Sequence, residues 1–413
     1  MKKQLTVGIF LEHYDPFFSG VITSVKVLRS ELERRGHKVY IIAPAAAGFK
    51  DVDKRVIRTP SFATSALENT TVGLADPFTR RRIANIKFDI VHSQEVFFTS
   101  LLGLKVAQAQ KVPYIQTYHT LWNNFIDQYE LGLRARILGF SFMAYPFVFG
   151  LSRSAKLLRR ASQNSPSKKF IPNLMWGHML TMGEVADRVV VPSKHLAAEL
   201  RAAGLATPLV TIPNGVAAYK ADNSESLMSK PKAKLRILSV ARHSPEKRVH
   251  VLIEALAKTK ANAELVLIGE GPTDAFLKQR VSQLGLESKV LFMGHLSNGA
   301  VRTLMRQSDV LALASYNFDN QPMVIIEAIE AGLPVIYCDP KLEEGLSADN
   351  ALLVGRSAAS FALAYQKLQN AKFRSSMAVA SKKLARNYQI KKIADEVLAV
   401  YYAAIADQQH AKN

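Results

Sequence analysis

The sequence contains very little cysteine and tryptophan. Its 413 residues include one cysteine, Cys338, and two tryptophans. A single cysteine excludes an intramolecular disulfide and is typical of a protein from a reducing compartment. Cys338 ends the apolar run LPVIYC, and no histidine-bearing motif accompanies it. We therefore interpret it as the buried end of a strand and not as a nucleophile.

The sequence also lacks a long hydrophobic run. The apolar stretch before Glu12 is too short for the core of a secretory signal. The longest nearly apolar stretch, residues 138–151, is shorter than the roughly 20 residues that a helix needs to cross a bilayer. These observations predict a cytoplasmic protein without a membrane-spanning helix.

Metal-binding patterns are missing as well. No histidine or cysteine cluster has the spacing of metal ligands. The pair Asp51 and Asp53 stands in a charged loop away from any predicted strand end, so we interpret these aspartates as solvated surface charges. The sequence predicts no metal site.

Acidic residues are few compared with basic ones. There are 54 lysines and arginines against 34 aspartates and glutamates, which gives a formal net charge of +20. Such a surplus indicates an anionic partner. The imbalance is concentrated between Leu131 and Leu180, where neither acid occurs. The basic residues of this insertion, about residues 130–180, include Arg134, Arg136, Arg153, Lys156, Arg159, Arg160, Lys168 and Lys169.

Residues 147–160 of this insertion have the pattern of a basic amphipathic helix. Apolar side chains share one helical face and basic ones the opposite face, as in helices that bind membrane interfaces. The predicted membrane contacts are Arg153, Lys156, Arg159 and Arg160. In the alternative interpretation the apolar face packs on its own domain and the charges are solvated. Nucleic acid is the rival anion, but the sequence has no nucleic-acid module, so we expect no nucleic-acid partner.

The first half of the sequence alternates apolar runs with helical periods. The runs TVGIFL, KVYIIAP, FDIVHSQ, VPYIQTYH and RVVVPS are separated by helical segments. This alternation predicts an α/β fold with a parallel sheet covered on both faces. Residues 1–216 are therefore predicted to form a Rossmann-like domain.

A second alternating series follows a polar, proline-containing linker at residues 217–234. Residues 235–388 are predicted to form a second Rossmann-like domain, and residues 389–413 a final helix. Ligands of such domains bind at the carboxyl ends of the strands.

Two cations and the start of a helix in the second domain favour phosphate binding. Arg242 and Lys247, five residues apart after the run LRILSV, can clamp a pyrophosphate without a metal ion. Pro322 suits the first turn of a helix, which would direct the amides of Met323 and Val324 toward a phosphate.

Two carboxylates complete this pattern. Asp319 stands just before the predicted helix and could accept hydrogen bonds from sugar hydroxyls. Glu327, on the second turn, could accept them from a ribose. Two acceptor-only carboxylates and two cations predict a site for a nucleotide-diphosphate sugar.

The pattern resembles that of the retaining family-4 glycosyltransferases of GT-B fold, over nearly the whole chain. Asp319 stands where this family more often has glutamate, and Pro322 where it often has glycine. The matching motifs, in order, are Ser19-Gly20, His119 in QTYHTLW, VPS at 191–193, IPNGV at 212–216, IGEGP at 268–272 and EAIEAGLPVI.

The resemblance implies two Rossmann-like domains that face each other across a cleft, with the C-terminal helix returning to the N-terminal domain. The first domain would bind the acceptor and the second the nucleotide sugar. It implies front-face attack by the acceptor without a protein nucleophile and without a metal cofactor. His119 would border the donor sugar and Gly20 would contact its phosphate or sugar. The donor would also lie against Gly269, Glu270 and Gly294.

The segment YHTLWNNFIDQY and the basic insertion after it are similar to those of bacterial diacylglycerol glucosyltransferases and related lipid mannosyltransferases. This similarity implies a hexosyltransferase that uses a donor of the UDP-glucose or GDP-mannose type and a membrane lipid acceptor, at the inner face of the cell membrane. A soluble or polysaccharide acceptor stays open, as does a catalytically silent nucleotide-sugar-binding protein. The residues do not distinguish the donor, the linkage or the oligomeric state.

Overall fold

The computed structural model describes residues 3–63, 71–73, 76–120, 170–218 and 234–410. The chain divides into two compact units. Unit 1 comprises Met1–Pro213 and Ile390–Asn413, and unit 2 comprises Asn214–Gln389.

The strands of unit 1 are short and mostly buried, as expected for a sheet covered on both faces. They are β1 (Thr6–Phe10), β2 (Lys38–Pro44), β3 (Val56–Thr59), β4 (Ser61–Ala63), β5 (Thr71–Gly73), β6 (Ile90–Ser93), β7 (Tyr114–Thr117), β8 (Arg188–Val191) and β9 (Leu209–Thr211). Seven of them form one parallel sheet in the order β3-β2-β1-β6-β7-β8-β9, while β4 and β5 pair antiparallel.

Helices connect these strands. They are α1 (Gly20–Arg34), α2 (Pro77–Ala84), α3 (Phe98–Gln110), α4 (Phe170–Glu184) and α5 (Lys194–Ala202). Helix α1 begins where the Ser19 hydroxyl accepts a hydrogen bond of 3.2 Å from the amide of Ile22. It ends before Gly36, whose φ of +90° turns the chain into β2.

Unit 2 repeats the same architecture. Its strands are β10 (Leu235–Val240), β11 (Ala263–Ile268), β12 (Val290–Phe292), β13 (Val310–Leu313), β14 (Val335–Tyr337) and β15 (Ala351–Leu353). Its helices are α6 (Val249–Lys258), α7 (Asp274–Gln283), α8 (Asn298–Arg306), α9 (Met323–Ala331), α10 (Ala358–Lys367) and α11 (Ala371–Ala385), with 3₁₀ turns at Pro245–Lys247 and Arg386–Tyr388. The six strands are parallel in the order β12-β11-β10-β13-β14-β15. This order reverses between β10 and β13, which is where open α/β sheets bind ligands.

The predicted fold class is confirmed, because two parallel sheets with flanking helices are two Rossmann-like units. Each apolar run named above contains a strand of one of these sheets. The periodicity did not reveal β3, β9 or the β4-β5 hairpin. These segments stand among polar residues, glycine or proline, so no continuous apolar run marks them.

Unit 2 begins slightly earlier than the predicted boundary after residue 216. Asn214 belongs to unit 2, and its amide donates to the Gln321 side chain at 2.6 Å. The amide of Val216 donates to the Tyr388 carbonyl at 2.8 Å. These bonds attach the IPNGV segment to unit 2, whereas residues 219–233 of the predicted linker lie outside the described residues.

The last helix, α12 (Ile390–His410), belongs to unit 1 and packs against α1. Its Tyr401 is fully buried, and the hydroxyl lies 2.6 Å from His92 Nδ1, while His92 Nε2 lies 2.6 Å from the Thr117 hydroxyl. Burial lowers the pKa of His92 to about 3, so its ring is neutral at pH 7. His92 therefore joins the last helix to the sheet.

Two further predictions concern single residues. Cys338 is buried directly after β14, its thiol contacts the carbonyl oxygens of Ala314 and Ser315, and burial raises its pKa. The interpretation of Cys338 as a strand end is thus confirmed.

Asp51 and Asp53 are not simply solvated, because Asp51 pairs with an arginine at 2.7 Å and Asp53 also accepts from an arginine side chain.

In the part of the chain that the structure describes, no helix has both the length and the apolar content required to cross a membrane.

Tyr401→Phe should destabilise unit 1 by roughly 2 kcal/mol, because it leaves a buried ring nitrogen of His92 without a partner. The measurement is urea unfolding of the full chain followed by circular dichroism. Tyr402→Phe is the control, since that hydroxyl donates to the Lys3 carbonyl at 2.7 Å in an exposed position and its loss should matter less. Equal effects of the two substitutions would contradict this account of His92.

Candidate functional site

The loop after β10 holds the first predicted cation, Arg242. The residue after it, His243, is buried, its amide donates to the Glu270 carbonyl at 3.0 Å, and its carbonyl accepts from the Thr273 amide at 3.0 Å. The His243 ring also binds the carboxylate of Asp274. Arg242 is exposed on a loop whose backbone is attached to the loop after β11.

Two glycines permit this attachment. Gly269 has a φ of +127°, and a methyl group there would overlap the carbonyl oxygen of Ala241. A methyl group at Gly271 would overlap the carbonyl oxygen of His243. The two loops therefore pack backbone against backbone, which residues with a Cβ would prevent.

The predicted donor-binding residues Gly269, Glu270 and Gly294 come together in this region. The Gly269 amide donates to the Gly294 carbonyl at 2.9 Å, and Gly294 has a φ of +63°. The Glu270 carboxylate accepts from the His295 amide at 3.3 Å. The structure thus places all three at the ends of the neighbouring strands β11 and β12.

Lys247 and Asp319 form an ion pair. The Lys247 Nζ lies 2.6 Å from Asp319 Oδ1 and 4.8 Å from the centre of the Phe318 ring. Both side chains are largely buried, with 19% and 12% exposed. The sequence predicted Lys247 for the diphosphate and Asp319 for the sugar, and the structure joins these groups directly.

The loop before α9 presents polar atoms without partners. Asp319 Oδ2 and Gln321 Nε2 are buried and, within the described part of the chain, have no hydrogen-bond partner. No described side chain caps the helix that starts at Met323 and Val324. Free amides at a helix start, together with a buried acceptor and a buried donor, suit an anionic ligand that carries hydroxyls.

Glu327 is held in place by a residue that the sequence did not point out. Its Oε1 accepts a hydrogen bond of 2.9 Å from the Asn298 side chain, and only 7% of the residue is exposed. Burial raises the pKa of Glu327, whereas Asn298 and Arg302 act in the opposite direction. Asn298 at the start of α8 looks like an ordinary helix-starting residue in the sequence, and no local pattern connects it to Glu327.

In unit 1 the predicted residues lie at the carboxyl ends of strands. His119 follows β7, its Nε2 lies 2.8 Å from Gln94 Oε1, and burial lowers its pKa to about 4. The imidazole is therefore neutral at pH 7, and its role is hydrogen bonding and not charge. Gly20 is the exposed first residue of α1.

Four predicted residues, Arg153, Lys156, Arg159 and Arg160, lie outside the described residues, so the predicted membrane contact stays a prediction. Among the residues that are described, no group of three or more metal-ligating side chains comes together.

Two family models match this chain. The model described as Glycosyltransferase Family 4 matches residues 18–218, and the model described as Glycosyl transferases group 1 matches residues 223–383. The first match lies in unit 1 except for its last five residues, and the second lies in unit 2.

Individual proteins are similar to this chain in sequence or in fold. The chain is 26% identical over 344 residues to the alpha-monoglucosyldiacylglycerol synthase of Streptococcus pneumoniae, covering 80% of this chain and 70% of the relative. It is 27% identical over 348 residues to the synthase of the same name from Acholeplasma laidlawii, covering 80% of each. The Anabaena protein Alr3699/HepE, solved with UDP and glucose, superposes with a TM-score of 0.69 at 16% identity, covering 96% of this chain and 100% of that one. At this identity the last match shows the fold alone, which is GT-B.

Gly269→Ala should weaken UDP binding about tenfold or more, because displacing the Arg242 loop removes a charge-assisted contact. The matched control is Gly285→Ala in the same unit. Gly285 also has a positive φ, +62°, but no described atom lies within 4 Å of a methyl group there.

Gly285→Ala should lose about 1–2 kcal/mol of stability through its left-handed backbone, and Gly269→Ala should lose more, because its methyl group also overlaps the Ala241 carbonyl oxygen. Calorimetric titration with UDP separates the two effects. Unchanged UDP affinity in Gly269→Ala would show that the contact between the loops does not support the site.

Proposed function

The chain belongs to the group 1 and family 4 glycosyltransferases and has the GT-B fold, and from this premise we propose its substrates and mechanism. It is a retaining, metal-independent hexosyltransferase. The donor is a nucleotide-diphosphate hexose of the UDP-glucose or GDP-mannose type. The acceptor is a membrane lipid such as diacylglycerol.

The observation that carries the proposal is the arrangement of Lys247, Asp319 and the start of α9 in unit 2. Lys247 already binds a carboxylate at 2.6 Å, so a phosphate oxygen in the same place would find the same charge. Asp319 Oδ2 and Gln321 Nε2 are buried and have no partner among the described residues. A diphosphate sugar supplies anionic oxygens for the cations and hydroxyls for the carboxylate.

In this proposal the protein itself supplies the positive charge that stabilises the leaving group. Arg242, Lys247 and the amides of Met323 and Val324 stabilise the negative charge that grows on the departing diphosphate. These groups replace a metal ion as the electrophile. Glu327, positioned by Asn298 at 2.9 Å, accepts hydrogen bonds from the ribose.

The anomeric configuration of the sugar is retained if the acceptor attacks the face from which the diphosphate leaves. The departing phosphate oxygen then takes the proton of the acceptor hydroxyl, so no protein nucleophile forms a bond to the sugar. His119, neutral and hydrogen-bonded to Gln94, borders the sugar and contributes a hydrogen bond but no charge.

The lipid acceptor is supported by two observations. The relatives from Streptococcus pneumoniae and Acholeplasma laidlawii are both named alpha-monoglucosyldiacylglycerol synthases. The net charge of +20 and the acid-free segment from Leu131 to Leu180 favour an anionic surface. Under this proposal the protein acts as a peripheral protein at the inner face of the cell membrane, bound through its basic segment.

The proposal is tested by incubating the purified protein with UDP-glucose or GDP-mannose and dioleoylglycerol in anionic vesicles. We expect one donor to yield an α-linked glycolipid, with a rate that EDTA does not change. Product identity and anomeric configuration are read by mass spectrometry and NMR. A β-linked product or a saturable Mn²⁺ requirement would contradict the mechanism. Transfer only to soluble sugars would show that the acceptor is not a lipid.

Lys247→Ala should reduce kcat about 10²–10³-fold, as does removal of a donor that stabilises developing negative charge. Lys367→Ala is a matched control because Lys367 also lies 4.8 Å from an aromatic ring centre, that of Phe373, on the exposed side of α10. Its kcat should be unchanged. Steady-state kinetics with saturating donor makes the comparison, and a similar kcat for both variants would remove Lys247 from the mechanism.

A further inference from the structure

Unit 1 buries two carboxyl groups at the carboxyl ends of adjacent strands. Glu12 follows β1 and Glu95 follows β6, and only 5% and 4% of these residues are exposed. Burying an acid is unfavourable unless hydrogen bonds compensate. The two acids differ in this compensation.

Glu12 has a structural explanation. Its Oε1 accepts from the amides of Thr99 at 2.9 Å and Ser100 at 3.1 Å, and its Oε2 lies 3.3 Å from the Thr99 amide. These amides open α3, whose N-cap residue, Phe97, provides no side-chain hydrogen bond. Glu12 therefore caps α3 in its place.

Glu95 is held by its main chain, and the Glu12 backbone and the His13 ring stabilise its carboxylate, but one carboxyl oxygen is not satisfied. The Glu95 carbonyl accepts from the Gln116 side chain at 2.6 Å and from the Ser100 hydroxyl at 2.5 Å. Its Oε1 lies 3.6 Å from His13 Nε2, beyond a good hydrogen bond. Its Oε2 is buried and has no hydrogen-bond partner in the described part of the molecule.

Two neighbouring side chains also have a buried polar atom without a hydrogen-bond partner in the described residues. Gln94 Nε2 and His13 Nδ1 are also buried, and neither has a partner among the residues described. Gln94 uses its Oε1 for His119, so its amide nitrogen is left as a donor. The three groups lie in the loops after β1 and β6, which are hydrogen-bonded neighbours in the sheet.

We propose that His13, Gln94 and Glu95 bind the hydroxyl group of a neutral polyol acceptor. The inference rests on the proposed function and names the part of unit 1 that holds the acceptor. A hydroxyl group donates one hydrogen bond and accepts two. It therefore matches a carboxyl oxygen on one side and an amide N–H or imidazole on the other.

The charge of the cluster favours a neutral ligand. Burial, and then the neighbouring Glu95, raise the pKa of Glu12 to about 8, and burial also raises the pKa of Glu95. At neutral pH Glu12 therefore holds a proton most of the time, so the pair has less than its full negative charge, which disfavours a cation as ligand. An anion would be repelled by any remaining carboxylate charge. Glu95 is an acceptor-binding residue here, because its oxygens contact the acceptor hydroxyl and form no bond to the sugar.

Direct binding tests the inference without turnover. The full chain, saturated with UDP or GDP, whichever it binds, is titrated with dioctanoylglycerol, a short-chain lipid, and separately with methyl α-glucoside, and binding is followed by saturation-transfer NMR. Glu95→Leu should bind the preferred probe at least tenfold more weakly. Glu95→Gln should retain most of the affinity, because an amide still offers an acceptor and a donor.

Stability gives a second readout that separates a binding role from a structural one. Glu95→Leu should lower Tm little, since Glu95 Oε2 has no described partner and Oε1 lies only within 3.6 Å of His13 Nε2. The matched control is Glu12→Leu, which removes the acceptor that caps α3 and should lower Tm while leaving probe affinity close to that of the parent. If Glu95→Leu does not fold, His13→Phe tests the same site, because the His13 side chain is 23% exposed and tolerates replacement.

Each result decides the inference. Loss of dioctanoylglycerol binding identifies a glycerol hydroxyl, and loss of methyl α-glucoside binding identifies a sugar hydroxyl, and both support the site. Parent-like affinity in Glu95→Leu, or no binding of either probe to the parent, overturns it. Probe binding that depends on Glu95 in a protein that transfers no hexose would support the site while rejecting the proposed function.

Discussion

The donor half of the molecule depends on the close approach of two backbones at the carboxyl edge of the unit 2 sheet. Gly269 and Gly271 lie so near Ala241 and His243 that any side chain would overlap a carbonyl oxygen. This contact fixes the position of the Arg242 loop relative to the loop after β11. Because Lys247 follows in the same loop, the contact also positions the cation that reaches Asp319. The proposed charge site for diphosphate is thus built on a steric requirement for glycine.

The buried polar groups of the protein fall into two classes. Glu12, His92 and Glu327 have partners that explain their burial: the amides of α3, the hydroxyls of Tyr401 and Thr117, and the amide of Asn298. Asp319 Oδ2, Gln321 Nε2 and Glu95 Oε2 have no partner in the residues that the structure describes. All three follow the ends of parallel strands. Polar groups left unsatisfied where such sheets bind ligands are the ones that a substrate would satisfy.

The Lys247–Asp319 ion pair has a consequence for donor binding. The pair is largely buried, so its attraction is stronger than that of a surface pair. A diphosphate that binds Lys247 must compete with Asp319 for the same ammonium group. Release of Asp319 from Lys247 would make its carboxylate available for the sugar hydroxyls. The roles predicted separately for the two residues are therefore coupled through one contact.

The sequence by itself determined the two Rossmann-like units and the candidate donor residues. Near-continuous apolar runs predict buried parallel strands, and cations or acids directly after such runs must lie at the carboxyl edge. Local periodicity contains no information on which distant side chains meet there. Lys247 and Asp319 are 72 residues apart, Glu12 and Thr99 are 87 apart, and His92 and Tyr401 are 309 apart. These contacts exist only because the strand order brings particular loops side by side. For the same reason only the tertiary structure decided that Asn298 holds Glu327 and that Glu95 Oε2 is buried without a described partner.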